Sequence, residues 1–234
     1  MTAGDLQDRL LERLGDTATG EYVATGYYTS REALNWINAA ERLFVLLTLC
    51  LETTATLELV ADPQTAIYHM LGQYADWLLP LRVRITGGAK LEPSRLSDLV
   101  ALDSVWSASP GVPTRYALLG FDLLAVYQQP LDAMSLAITY ARCPTTLVNP
   151  GDVPEIPAEY HPVLIDGAIP LCRAKEGGGE FEKVMASWDV FMDAAGKLGE
   201  YVRARNQEQG YDRLPAELAR VDRSKILEKV ANGK

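Results

Sequence analysis

Histidine and cysteine, the side chains that most often bind metals or act as nucleophiles, are scarce: two and three respectively in 234 residues. His69 and His161 stand far apart, outside any metal-ligand spacing, and no Ser-His-Asp arrangement follows from their positions. Cys50, Cys143 and Cys172 form no C-x-x-C pair, so neither a zinc site nor a disulfide framework is indicated. They are expected to be buried free thiols in a reducing compartment. Long apolar runs are missing too. The most apolar stretch, Leu43–Leu51, falls well short of the roughly 20 residues that span a bilayer. The opening residues carry neither a basic nor an apolar targeting segment, and a soluble protein of a cytosol is expected. Basic residues are outnumbered, 22 Lys+Arg against 31 Asp+Glu, for a formal charge of -9. A protein whose main task is gripping phosphates needs a basic surface, so that class is excluded as the main role, although a local basic patch is compatible with these numbers.

Known catalytic motifs are absent as well. No G-x-S-x-G elbow occurs. Gly87–Ser94 has two glycines and a lysine but fails the phosphate-loop pattern, and it reads as a hairpin turn. Gly177, Gly178 and Gly179 precede a helix with no strand leading into them, which reads as a linker. Asp152 and Glu155 share a proline-rich loop and could pass for an acid/base pair. Nothing fixes their separation, so they read as solvated loop charges. The histidines are expected to be hydrogen-bonded or exposed imidazoles. Trp36, Trp77, Trp106 and Trp188 lie among apolar neighbours and read as core or interface. No catalytic, metal or cofactor-binding residue is assigned.

What is present is ordinary globular material, 48% hydrophobic and 23% charged. Leu6, Leu10, Leu11 and Leu14 share one face of a short first helix. Thr29 followed by Glu32 is a capping box opening a long helix, with Leu34, Ile37, Glu41, Phe44, Thr48 and Leu51 on one stripe. Trp36, Leu43, Leu46 and Leu49 suggest burial on further sides. From Thr53 the period changes to two. Strands are expected at Thr53–Val60, Ala66–Leu71 and Arg82–Thr86, with a short helix between Ser94 and Trp106. Thr114–Leu119, Phe121–Gln128 and Ala133–Arg142 read as an antiparallel meander. After the connector Pro144–Pro157, helical spacing returns at Tyr160, Leu164, Ala168 and Leu171, where Pro170 should kink or shorten the helix. A last helix covers about Phe181–Arg205, carrying Val184, Trp188, Phe191, Ala195, Leu198 and Val202. The polar remainder reads as a tail without a core of its own.

The expected fold class is α+β: an antiparallel helical bundle with an inserted antiparallel β-sandwich or barrel-like domain and an extended C-terminal tail. Residues 1–52 and 151–206 are the two halves of the bundle, 53–150 the inserted β domain, and 207–234 the tail.

The order of these signals is more specific than any one of them. Tyr28–Ala40 with its capping box is followed by Trp77–Ile85, then Lys90 and Leu91 leading to Leu96, Leu102, Asp103 and Trp106. Next come Gly111–Tyr116, Tyr127–Pro130, Ile138–Pro144, Pro154–Leu164 and the helix Phe181–Arg205. From Tyr27 to Arg205 this order resembles the head-to-tail adaptor (connector) proteins of tailed bacteriophages. The resemblance implies a structural virion protein of the neck, assembled in the host cytoplasm. It would form a homo-oligomeric ring of twelve subunits beneath the portal protein. The ring would extend the DNA channel, pass genomic DNA without sequence-specific binding and dock a downstream tail or nozzle protein, with no membrane partner. The C-terminal segment of similar proteins reaches the portal, which makes Arg213, Leu214 and Arg220 the candidate contacts here. Deleting residues 206–234 is then expected to leave a folded chain that fails to dock. A heterologous ring needs two complementary faces per subunit, and a net acidic wall lets DNA slide. Head-completion stopper, tail-terminator protein, virion-associated hydrolase and sequence-specific DNA binder are the competing readings.

Overall fold

Thr29 does what its spacing to Glu32 requires. Its hydroxyl accepts from the Glu32 N–H at 3.2 Å, while the Glu32 carboxylate accepts from the Thr29 N–H at 3.0 Å. The computed structural model describes residues 1–15, 27–61, 66–175 and 181–215; of 181–183 it describes the backbone only. The glycine run 177–179 and most of the loop from 15 to 26 therefore lie outside the described residues. Within them the chain is mixed α+β, with six α-helices and two sheets.

In chain order the elements are α1 (Ala3–Arg13), α2 (Ser30–Thr48), β1 (Glu52–Leu59), β2 (Ile67–His69), α3 (Met70–Gln73), β3 (Trp77–Ile85), β4 (Glu92–Ser94), α4 (Leu96–Leu102), β5 (Arg115–Leu119), β6 (Leu123–Tyr127), β7 (Met134–Arg142), α5 (Val163–Ala174) and α6 (Phe181–Glu208). The apolar stripes of α1, α2, α5 and α6 meet in one core built on Leu6, Leu10, Ile37, Phe44, Leu164, Ala168, Phe191, Ala195 and Val202. At Gly167 of α5 side chains from α2 and α6 press against the helix. A Cβ there would sit 2.5 Å from the Phe191 ring and 3.1 Å from Cβ of Ala40. Pro170 neither shortens nor ends α5, which continues to Ala174. Cys172 is buried in this core, whereas Cys50 and Cys143 are only half-buried, and none of the three is in a disulfide.

One sheet has the order β1-β7-β3 and the other β2-β6-β5-β4. Leu57, Val83, Leu136, Ile138 and Tyr140 of the first join Tyr68, Tyr116, Leu124 and Val126 of the second in a single cluster. The strands do not close into a barrel among the described residues. The expected meander is also corrected. β5 and β6 pair antiparallel, but β7 crosses to the other sheet and lies between β1 and β3. Gln129 is held by the Ser109 carbonyl at 2.8 Å, and Pro130, with no N–H, cannot continue the ladder, so the chain leaves the sheet there. β4 runs parallel to β5, a departure from an all-antiparallel domain. The strand expected at Ala66–Leu71 stops at His69. The Met70 N–H donates to the Asp122 carbonyl at 2.7 Å, and the Leu71 N–H donates to its carboxylate.

Helices and sheets meet at a small seam of Leu49, Leu81 and Ala141, with Tyr211 packed against it. Leu49 ends α2 in the left-handed region, φ 51°. That conformation is unfavourable for a leucine, and burial of its side chain in the seam holds it there.

Candidate functional site

The polar residues singled out for chemistry prove to be structural ties. His161 is buried, with Nε2 2.9 Å from the Ile156 carbonyl and Nδ1 3.1 Å from the Met1 amino nitrogen. A carbonyl only accepts, so Nε2 is the donor in that bond. His69 is exposed, 3.3 Å from Asp122. Asp152 and Glu155 are not free loop charges. Asp152 accepts from the Asn149 and Val148 N–H groups, each at 2.8 Å, and these bonds hold its carboxyl below the usual range. Burial raises Glu155, but the Thr145 hydroxyl and the Arg142 guanidinium bring it to a net lowering. The Arg142 bond measures 2.5 Å and the Thr145 bond 2.8 Å. Trp77 and Trp106 are buried, and Trp36 and Trp188 pack against the helical core. No group of three metal-ligating side chains occurs among the described residues.

Glu41 was hidden in the apolar stripe of α2. It is fully buried; its Oε1 accepts from the Glu155 N–H at 2.9 Å, while Oε2 has no partner among the described residues. Burial pushes its carboxyl up to about 7; the backbone N–H of Glu155 opposes this, and the Glu155 charge adds to it.

The more consequential geometry lies at the end of α6. The helix runs past Arg205 to Glu208, and Gly210 (φ 65°) reverses the chain. This αL position closes the helix through Tyr211 N–H to the Asn206 carbonyl at 2.9 Å. The chain then docks on the sheets. Asp212 N–H donates to the Leu81 carbonyl at 2.7 Å, and its carboxylate takes Lys90 Nζ at 2.6 Å and the Tyr116 hydroxyl at 3.0 Å. Burial first, then the Asp212 charge, pushes the Tyr116 hydroxyl far above its ordinary pKa. Lys90 also donates to the Gly210 carbonyl at 2.6 Å, and the Arg82 guanidinium lies 5.1 Å from the Tyr211 ring centre. Arg205 pairs with Glu52 of β1 at 3.0 Å. Beyond the clamp Pro215 is buried beside Gly199, and its carbonyl accepts from Arg203, so the segment turns back along α6.

Above this root a cleft of about 350 Å³ is lined by Arg82, Arg84, Gly88, Lys90, Gln209 and Gly210. Arg82 and Arg84 alternate along β3 and share a sheet face. The Nε of Arg82 is buried without a hydrogen-bond partner.

The model of the SU10 adaptor protein family matches residues 1–223 of this chain. The chain belongs to that family. It is a family of phage head-to-tail adaptors, as the order of motifs from Tyr27 to Arg205 led one to expect. No curated protein matches the sequence. Adaptor membership gives the chain a structural role as a virion component, with portal and tail proteins as its partners, and implies that the role is not enzymatic. No helix among the described residues is long and apolar enough to cross a membrane.

Of the three candidate portal contacts, Arg213 is exposed, Leu214 is half-buried and Arg220 lies outside the described residues. Residues 207–215 are the end of α6 and a docked strap, because Asp212 finds two partners and a carbonyl on the sheets. Sequence reading missed the Asp212–Lys90 pair and, separately, the buried carboxyl of Glu41. The alternation Arg82-Val83-Arg84 was the one signal that could have shown the cationic face.

Proposed function

We propose that this adaptor is the repeating subunit of a twelve-membered ring that docks under the portal, extends the DNA channel and offers a surface to the next tail component. In this reading residues 1–52 and 151–206 are a helical bundle, 53–150 an inserted two-sheet sandwich, and the segment after Pro215 the portal-reaching arm, with Arg213, Leu214 and Arg220 near its base. The observation that carries it is the clamp at Asp212. A fixed root with an exposed Arg213 beside it suits an arm that must leave each subunit at the same place. Unhidden apolar surface supports ring contacts: Val100 and Leu102 of α4 are 49% and 53% exposed, and Val105 beside them 62%.

The test is to delete residues 216–234, which keeps the clamp, rather than cutting at 206, which removes buried Asn206 and Asp212 with the arm. The shortened chain should melt as the full chain does and fail to join the portal in negative-stain images. Normal docking by the shortened chain refutes the arm. Capping of tail-tube rings in place of portal binding would instead make it a terminator.

A further inference from the structure

We propose that the Arg82–Arg84–Lys90 cleft is one half of the contact between adjacent subunits and receives carboxylates from a second copy of this chain. The proposal rests on the ring reading above and names the partner of one face.

Three features point there. First, the charge is uncompensated. Lys90 is neutralised by Asp212, but Arg82 and Arg84 have no carboxylate among the described residues, and the buried Arg82 Nε lacks an acceptor. Nε itself is sealed from solvent, so an incoming carboxylate meets the outer N–H groups of the two half-buried arginines, whose guanidinium fork suits it. Second, the main-chain edge of β3 is already used. Its Leu81 carbonyl takes Asp212 N–H, its Val83 carbonyl takes Leu91 N–H at 2.9 Å, and Ile85 N–H goes to the Ala89 carbonyl at 2.9 Å. A partner therefore cannot add a strand here and must be read by side chains. Third, the chain carries 31 acidic against 22 basic residues, so any other copy presents mostly carboxylates.

A nucleic-acid strand fits less well. Register places Thr54, Thr56 and Glu58 of β1 on the same sheet face as the two arginines, and the strap beside them carries Asp212. The positive area is one cleft rather than a track along a phosphate backbone.

The experiment is sedimentation velocity of the full chain over a concentration series at low and high salt, for wild type, Arg84→Glu, Arg84→Ser and Arg84→Lys, with melting curves as a folding check. Wild type should self-associate and weaken with salt. Arg84→Glu should weaken association by roughly tenfold or more, and Arg84→Lys should keep most of it. If Arg84→Glu melts early, Arg84→Ser is read in its place. Association unchanged by loss of the Arg84 charge, or no association of wild type at any concentration, overturns the proposal. So does binding of a short DNA duplex that Arg84→Glu abolishes. Portal docking by the same samples separates the two readings. Docking with charge-insensitive association sinks the cleft alone, and charge-sensitive association without docking sinks the portal-docking reading alone.

Discussion

At Glu41 a single buried carboxyl gives the helical core a pH dependence. Its folded value of about 7 lies above the ordinary 4.5. Both states are protonated below the ordinary value. As pH rises the unfolded chain loses this proton first, the folded chain holds more protons, and stability must fall across the window from 4.5 to 7. At 1.36 kcal/mol per pKa unit the loss is on the order of 3 kcal/mol. Glu32 acts in the opposite sense in a lower window. Its carboxyl is held at about 2, chiefly by the Lys175 ammonium and the Thr29 N–H, so its contribution is present above 4.5 and is lost as pH falls toward 2. Glu41→Gln keeps an acceptor for the Glu155 N–H and removes the charge. Urea unfolding at pH 5 and pH 8 should show the wild type losing stability between the two and the variant losing much less. Equal pH slopes in the two proteins would contradict the assignment.

Among elements, the junction of α2, α5 and α6 turns on Gly167. Phe191 stacks on Trp188 at 5.4 Å and meets Phe44 edge-on at 5.7 Å, so its ring cannot yield to a new methyl without moving both. Gly167→Ala raises intrinsic helix propensity, yet it should destabilise by about 1–3 kcal/mol because overpacking outweighs the propensity gain of roughly 1 kcal/mol. The measurement is the urea midpoint, and a more stable variant would show that the junction is looser than its geometry. Gly167→Ala with Phe191→Leu should recover part of the loss. Local signals made much of this level legible. The Thr29–Glu32 box, the stripe Leu6, Leu10, Leu11 and the stripe Phe191, Ala195, Leu198, Val202 each depend on neighbours a few residues away. What sequence could not show depends on distant partners. β7 reads as a strand from its own alternation, but its place between β1 and β3 depends on Leu57, Val83 and their registers. Glu41 carries helical spacing that marks burial, while its ionisable character emerges only once the Glu155 backbone is beside it.

The whole molecule is tied together where the chain leaves α6. Helices and sheets meet at a small apolar seam of Leu49, Leu78, Leu79, Leu81, Ala141 and Tyr211, and the polar bonds of Asp212 and the Arg205–Glu52 pair help to set their relative position. None of these pairs is visible as a motif, because Asp212 is one acidic residue in a polar stretch whose partners lie far back on β5 and in the hairpin after β3. Removing its carboxylate leaves the buried Tyr116 hydroxyl without an acceptor, whereas Lys90, which is 42% exposed, is rehydrated. The main cost is therefore the orphaned hydroxyl, about 1–3 kcal/mol for Asp212→Ala. Asp212→Asn still offers an amide oxygen to Tyr116 and should cost less. Tyr116→Phe combined with Asp212→Ala removes both partners and should cost less than the two single changes summed. Hydrogen exchange supplies the decisive reading. In Asp212→Ala the amides of 209–215 and of β3 should exchange faster while those of α2 and α5 keep their protection, since only the strap is released. If the arm beyond Pro215 works from a fixed root, the same variant should dock on the portal more weakly although every residue of the arm is intact. Full docking strength together with fast exchange in 209–215 would show that the arm finds the portal without its anchor.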